Sequence, residues 1–133
     1  MATVCSKMWY LGRTRLEVPP QNTTVNPFDL FAHEEVLRCI AASDPSTPPV
    51  NKWYRLLNGS VTQVNTTADD RLVVDKDGSL IFRDVAEADW RRFVGWYRCE
   101  ADNGYTSDSA DLFLDVLTSP IVPTRREFLS HIR

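Results

Sequence analysis

The sequence lacks the features that mark membrane-spanning, nucleic-acid-binding and metal-binding proteins. No apolar run in its 133 residues approaches the roughly 18 residues that span a bilayer. The formal net charge of −3 gives no general attraction to nucleic acid or to an anionic membrane surface. The cysteines and histidines show no short paired spacing such as C-x-x-C. We therefore predict no metal site and no nucleic-acid partner.

Catalytic motifs are also missing. The sequence contains no Gly-x-Ser-x-Gly and no phosphate-binding glycine loop, and its histidines are limited to His33 and His131. Paired carboxylates occur at Asp69-Asp70 and at Asp75 with Asp77, but charged residues in turns are usually just solvated. The sequence therefore predicts a protein that is not an enzyme and has no cofactor and no small-molecule substrate.

What the sequence does contain is a series of short extended segments separated by turn formers. Turn signals lie at 43–49, 58–59, 75–78 and 102–105, and residues 87–92 could form only a single helical turn. This spacing predicts an all-β sandwich. The predicted strands cover residues 16–18, 34–41, 50–57, 71–74, 79–83, 96–101 and 110–116.

A spaced set of core residues runs through these segments. Cys39 is followed by Trp53, and Tyr97 precedes Cys99 by two positions. Together with other apolar and turn residues, this pattern resembles an immunoglobulin domain of the intermediate set, as found in neural cell-adhesion molecules. The resemblance covers roughly residues 14–117. The further matching residues are Leu80, Phe82, Val85, Asp89, Gly95, Ala101 and Asn103.

The resemblance implies an antiparallel sandwich with one disulfide, Cys39–Cys99, between its two sheets. It also implies that Trp53 packs on this disulfide and that the Tyr97 hydroxyl makes a corner hydrogen bond. Closing a loop of about 60 residues would stabilise the fold by roughly 4 kcal/mol. The same resemblance assigns Leu80 and Phe82 to the structural core and makes Arg71 and Asp89 a candidate salt bridge.

The segment before Tyr97 departs from the family pattern. The pattern Asp-x-Gly-x-Tyr-x-Cys expects aspartate at position 93, where this chain has Phe93, and Asp89 lies four residues earlier. Residues 90–94 therefore look like an expanded loop. Three interpretations of this expansion stay open: a loop packed on its own domain, an error in the predicted gene, and a binding patch. As a candidate patch it would comprise Trp90, Arg91, Arg92 and Phe93, because exposed aromatic and arginine side chains dominate many interfaces.

A finer resemblance lies in the loop after the first cysteine. Residues 39–46, with their long spacing to Trp53, are similar to the sixth immunoglobulin domain of the neuroglian/neurofascin group, and contactins carry a similar Asp-Pro. This resemblance implies a cell-adhesion or axon-guidance protein whose partners are homophilic or heterophilic adhesion molecules. It also implies contact with a membrane only through the parent protein.

We divide the chain into an immunoglobulin-like domain at 13–117 and a C-terminal linker or tail at 118–133. Residues 1–12 are an N-terminal extension that contains Cys5. Two readings of this extension stay open: the remnant of a preceding immunoglobulin domain, and an arbitrary leader.

The expected location is the cell surface or the extracellular space, because a disulfide needs an oxidising compartment. The N-terminus has no signal-peptide pattern, so either the chain is a fragment of a longer membrane-anchored protein or the disulfide assignment is wrong. Sequons predict N-glycosylation at Asn22, Asn58 and Asn65. The alternatives are an intracellular, disulfide-free domain of the muscle-filament type and a soluble immune-type receptor fragment.

Overall fold

The computed structural model describes residues 13–29, 33–66 and 71–119. Within these ranges the chain forms ten β-strands, one short α-helix and one 3₁₀ turn. In chain order the elements are β1 (Arg15–Val18), β2 (Thr23–Val25), β3 (Glu35–Leu37), β4 (Ile40–Ala42), β5 (Val50–Leu57), β6 (Ser60–Gln63), β7 (Leu72–Val74), β8 (Leu80–Phe82), α1 (Glu87–Trp90), the 3₁₀ turn (Arg91–Phe93), β9 (Gly95–Asp102) and β10 (Ser107–Val116).

The strands form a five-stranded sheet and a three-stranded sheet, with a separate two-stranded pair. The strand orders are β2-β10-β9-β5-β6, β3-β8-β7 and β1-β4. Apolar side chains from the two larger sheets share one core, in which Leu80, Phe82, Leu112 and Leu114 are fully buried. The predicted immunoglobulin-like sandwich is therefore confirmed.

The centre of the core is the disulfide between Cys39 and Cys99, whose side chains have no exposed surface. Trp53 is buried beside them, and its indole Nε1 donates a hydrogen bond to the carbonyl oxygen of Gly78 at 2.8 Å. Gly78 has φ +94°, and a Cβ there would collide with the Asn51 side chain. A turn glycine is therefore required at the point where the indole is anchored.

The structure corrects the predicted strand at 34–41. Two three-residue strands replace it: β3 pairs with β8, and β4 pairs with β1. The interruption falls at Cys39, whose backbone N–H donates to the Ser79 hydroxyl at 3.2 Å and whose carbonyl accepts from the Asn51 side chain at 2.8 Å. Because side chains satisfy these backbone groups, the ladder changes partner at this position.

The polar stretch at 21–26 lies outside the strands predicted from the sequence, yet its second half is extended. Residues 23–25 form β2, which pairs parallel with the end of β10. Its anchor is Val25, which is buried in the core although its neighbours in the strand are threonines. Tertiary pairing thus overrides the polar composition of this segment.

Several predictions concern residues outside the described ranges. They include the N-terminal extension at 1–12 with Cys5, the tail from residue 120 onward, His131 and Asp69-Asp70. Among the residues that the structure describes, no helix is long and apolar enough to cross a membrane.

Candidate protein-interaction surface

The expanded segment before Tyr97 is folded into two consecutive helical turns, α1 and the 3₁₀ turn. Trp90 and Phe93 stand three residues apart and therefore point to the same side. That side is the core, where Trp90 has 0% and Phe93 7% of its surface exposed. Both rings contact Phe82, with centroid distances of 5.7 and 5.1 Å. The segment is packed against its own domain.

The candidate binding patch at 90–93 is therefore wrong. Its two aromatic side chains are buried, and its exposed members, Arg91 and Arg92, make contacts within the chain. Arg92 lies 3.4 Å from Asp89, and Arg91 donates to the Thr118 carbonyl oxygen at 3.3 Å. The helical i, i+3 spacing of two aromatics was the signal in the sequence that could have shown this.

The Arg71 and Asp89 side chains meet despite the expansion. Arg71 Nη1 lies 3.0 Å from Asp89 Oδ2, and the guanidinium carbon lies 5.8 Å from the centre of the Phe93 ring. Both side chains are partly exposed, so the pair adds modestly to stability. Asp89 lies within α1, ahead of most of the expansion, and its carboxylate stays within reach of Arg71.

The Tyr97 hydroxyl donates a 2.6 Å hydrogen bond to the Phe93 carbonyl oxygen. A backbone carbonyl is the acceptor, so phenylalanine serves as well as the aspartate of the family pattern. Burial raises the pKa of Tyr97 to about 12, and the positive charge of Arg55 opposes that rise. The Arg55 guanidinium lies over the tyrosine ring at 5.6 Å and donates to the Val94 carbonyl oxygen.

The three predicted glycosylation sites are exposed. Asn58 occupies the turn between β5 and β6 with φ +51°, and Asn65 follows β6. Asn22 precedes β2, and its side-chain oxygen accepts a hydrogen bond from the backbone N–H of Phe113. Each asparagine is accessible to an attached glycan, and Asn22 would carry one at the edge of β10.

In the part of the chain that the structure describes, the outer face of the five-stranded sheet carries a row of partly exposed aromatic and aliphatic side chains. Side chains alternate along each strand, so the residues between the buried ones face outward. The register places Val61, Leu56, Trp96 and Phe113 side by side across β6, β5, β9 and β10. We call this set the outer apolar row. Trp96 is 48% and Val61 55% exposed.

The two aromatic rings of the outer apolar row contact each other. Trp96 and Phe113 pack edge to face with their centroids 5.3 Å apart. This contact fixes the indole on the sheet instead of leaving it free in solvent. A rigid, half-exposed tryptophan in a continuous apolar row is typical of a protein-binding surface.

Two rows of mainly polar side chains lie beside the outer apolar row, at the next outward-facing positions of the same strands. The first comprises Gln63, Tyr54, Arg98 and Asp111, and the second contains Lys52 beside Glu100. Arg98 binds Asp111 through two contacts, Nε–Oδ1 at 2.7 Å and Nη2–Oδ2 at 3.2 Å. The hydrogen bond to Asp111 and the charge of its carboxylate raise the pKa of Arg98 above its ordinary value. The surface combines an apolar row with balanced charge.

Sequence reasoning missed the outer apolar row. Its members come from four strands, and each looks like an isolated apolar residue in the sequence. Alternation alone places Trp96 on the other face of the sheet from its neighbour Tyr97, and Phe113 on the other face from Leu112. Only the strand register shows that the outward residues are neighbours.

A concave feature, separate from the outer face, lies between the two sheets beside β6. It is a cavity of about 400 Å³ lined mostly by apolar side chains from β5, β6, β7 and the 3₁₀ turn. Leu57, Leu72, Phe93 and the Tyr97 ring form its walls, and Arg55 supplies a positive charge. It is large enough for a partner's side chain, but it presents no ring as exposed as Trp96.

Comparison with known proteins relates the chain to adhesion receptors. No family model matches it. It is 39% identical over 88 residues to the cell adhesion molecule DSCAM of Mus musculus, covering 66% of this chain and 4% of DSCAM. It is 37% identical over 106 residues to the tyrosine-protein kinase-like otk of Drosophila willistoni, covering 80% of this chain and 9% of otk. The chain thus spans under a tenth of either relative.

Solved structures show the same fold. The N-terminal Ig1-2 module of the Drosophila receptor protein tyrosine phosphatase DLAR aligns with TM-score 0.60 and 25% identity, over 84% of this chain and 52% of that one. A titin M10–obscurin-like 1 immunoglobulin complex aligns with TM-score 0.58 and 25% identity, over 81% and 97%. The chain is therefore an immunoglobulin-like domain. It is related to the immunoglobulin domains of cell-adhesion and receptor proteins that include DSCAM and otk.

Proposed function

We propose that this chain is an extracellular module of a cell-adhesion or receptor protein and that it recognises another protein through the outer face of its five-stranded sheet. The observation that carries the proposal is the outer apolar row with its half-exposed Trp96. The relation to DSCAM and otk supports the assignment to adhesion receptors. In this function the buried core holds the sheet rigid, and the outer face supplies the contacts.

The disulfide supports a secretory history. A bond between Cys39 and Cys99 forms and persists in an oxidising compartment, which distinguishes this domain from the disulfide-free muscle-filament type. Glycans on Asn22, Asn58 and Asn65 belong to the same proposal, as does a membrane-anchored parent. The neuroglian-like or contactin-like subtype stays a prediction. The flanking coding sequence tests it and also distinguishes it from a soluble immune-type receptor fragment.

Thiol labelling tests the disulfide. The full chain, secreted from eukaryotic cells with an added signal peptide and unfolded without reductant, should present one reactive thiol, that of Cys5, out of its three cysteines. Treatment with an endoglycosidase should lower its apparent mass. Three reactive thiols with no glycan would support the intracellular alternative instead.

Bead adhesion tests the surface. Beads coated with the chain should bind to one another or to cells of the source tissue, and Trp96→Ser should reduce the binding. Tyr105→Ser is the matched control, because Tyr105 is the more exposed aromatic and lies in the turn between β9 and β10. Equal binding by the wild type and the Trp96 variant would overturn the outer face as the recognition surface.

A further inference from the structure

We infer that the partner of the outer face is a second copy of this chain, bound about a two-fold axis that runs parallel to the strands between β5 and β9. The inference rests on the proposed function, because it assigns an occupant to the same surface. Its basis is the self-complementary arrangement of side chains in the sheet register. A two-fold interface brings one patch against itself, so that each contact occurs twice.

The axis exchanges the strands in pairs. With two copies packed outer face to outer face, β5 of one lies over β9 of the other, and β6 lies over β10. Residues that are register neighbours within one chain then become opposite neighbours between chains. The four-strand face is symmetric about this axis, since β6 and β10 flank β5 and β9 on either side.

The outer apolar row is complementary to itself under this operation. Leu56 of one copy lies over Trp96 of the other, and Val61 lies over Phe113. Each aromatic ring therefore meets an aliphatic side chain, and the row is removed from water on both copies. Burying the half-exposed indole supplies the main apolar contribution.

The polar rows are complementary as well. Lys52 of one copy lies over Glu100 of the other, which pairs opposite charges twice in the dimer. Tyr54 lies over Arg98, where the guanidinium can stack on the phenol ring, and Gln63 lies over Asp111. No row sets like charges against each other. This charge pattern favours a second copy over a partner with a uniformly charged surface.

The size of the face predicts a weak dimer. Strands about 4.8 Å apart and outward residues about 6.8 Å apart give three rows across four strands an area of about 400 Å² per copy. A standard interface buries about 800 Å² per partner. We therefore expect a dissociation constant on the order of 100 µM. Because the axis is parallel to the strands, both copies point the same way, which suits a module that acts as one of many copies on the same surface.

A charge-swap experiment tests the dimer. The full chain carries Cys5→Ser throughout, so that a disulfide between copies cannot imitate association. Sedimentation equilibrium between about 10 µM and 1 mM should show reversible dimers for this background and at least about 10-fold weaker association for Lys52→Glu and for Glu100→Lys. An equimolar mixture of the two variants should associate about as tightly as the background.

The mixture of the two variants distinguishes an effect on contacts between two copies from an effect on contacts within a single copy. Lys52 and Glu100 are also neighbours in their own sheet, so either single change could act locally. In the mixed dimer, however, the glutamate introduced at position 52 of one copy faces the lysine introduced at position 100 of the other. The unchanged Lys52 and Glu100 face each other in the second contact, although each chain keeps its local like-charge pair. Only an interface with the inferred axis restores association in this way.

Two further arms separate this inference from the proposed function. Tyr105→Ser should dimerise like the background, and removal of the glycans should leave the dimers intact or strengthen them, because Asn22 contacts Phe113 and Asn58 lies in the turn beside Leu56 and Val61. A chain that stays monomeric at 1 mM, or a mixture that fails to associate, overturns the two-fold dimer. If coated beads then still bind cells in a Trp96-dependent manner, the surface stands and its partner is another protein.

Discussion

Trp90 and Trp96 lie close together in the chain and occupy opposite environments. Trp90 is fully buried among Phe82 and Phe93, whereas Trp96 is half exposed on the outside of the sheet. The surrounding sequence suggests the reverse, because Trp90 is followed by two arginines and Trp96 stands beside the core residue Tyr97. Local composition therefore does not decide which aromatic side chain is available for binding.

The difference comes from the backbone conformation of each segment. In helical turns, residues three apart share a face, so Trp90 and Phe93 both enter the core and the arginines between them face water. In a strand, adjacent residues lie on opposite faces, so burial of Tyr97 forces Trp96 outward. We call the first set, Phe82, Trp90 and Phe93, the inner aromatic cluster. The inner cluster is expected to carry stability, and the outer apolar row is expected to carry binding.

The largest expected effect is the loss of stability on truncating the inner aromatic cluster. Trp90→Ala should lower the free energy of unfolding by about 3–5 kcal/mol, because it leaves a large cavity beside Phe82. Urea denaturation measures this change. Trp96→Ala is the matched control and should cost less than about 1 kcal/mol. Equal losses of unfolding free energy for the two variants would contradict the distinction between the inner aromatic cluster and the outer apolar row.

Tyr97→Phe should have the next largest effect. It removes the hydroxyl that binds the Phe93 carbonyl and leaves that acceptor buried, at a cost of about 1–2 kcal/mol near pH 7. Urea midpoints, with Tyr105→Phe as the exposed control, measure it. The outcome that contradicts the corner hydrogen bond is an unchanged midpoint for Tyr97→Phe.

The same variant should change the dependence of stability on alkaline pH. The pKa of Tyr97 is raised from 10.0 to about 12, so its stabilising contribution is complete below pH 10 and is lost as the pH rises toward 12. At pH 11.5 the advantage of the wild type over Tyr97→Phe should shrink by roughly 2 kcal/mol. Urea titrations of both proteins at pH 9 and pH 11.5 measure the difference. A constant advantage would mean that the phenol ionises freely in the folded state.

The salt bridge beside the inner aromatic cluster should contribute less. A double-mutant cycle of Arg71→Ala and Asp89→Ala should give a coupling free energy of about 0.5 kcal/mol, because both side chains are partly exposed to solvent. Raising the salt concentration should reduce it. A coupling of several kcal/mol would show that this edge of the cluster is drier than its exposure indicates.

The smallest expected effect on stability belongs to the outer apolar row. Phe113→Ser and Val61→Ser should each change the free energy of unfolding by about 1 kcal/mol or less, since neither side chain belongs to the core. Their effect should appear in bead adhesion and in sedimentation. Val36→Ser, on the three-stranded sheet, is the control for loss of an exposed valine.

The core of the domain followed from the sequence in detail. The positions of Cys39, Trp53, Tyr97 and Cys99 imply a family pattern, and the structure buries all four. Strand β5 has the bounds predicted for it, and β10 contains the predicted last strand. These features are predictable because period-two alternation and turn residues act locally.

The prediction failed where long-range contacts decide. Strand β2 forms from threonines because β10 offers it backbone partners, and the predicted strand at 34–41 divides because Ser79 and Asn51 satisfy the backbone of Cys39. Of the three interpretations of residues 90–94, packing of the loop on its own domain agrees with the structure and the binding patch does not, since Trp90 and Phe93 are buried in the core.

The sequence by itself determined the class of fold, because alternation and turn residues act along one chain, and the resemblance to a known family implied the central disulfide. Only the tertiary structure decided which apolar side chains are available to a partner. Val61, Leu56, Trp96 and Phe113 become a row through the register of four strands, and register is set by backbone pairing and core packing together. A surface assembled across strands cannot be recognised from residues taken one strand at a time.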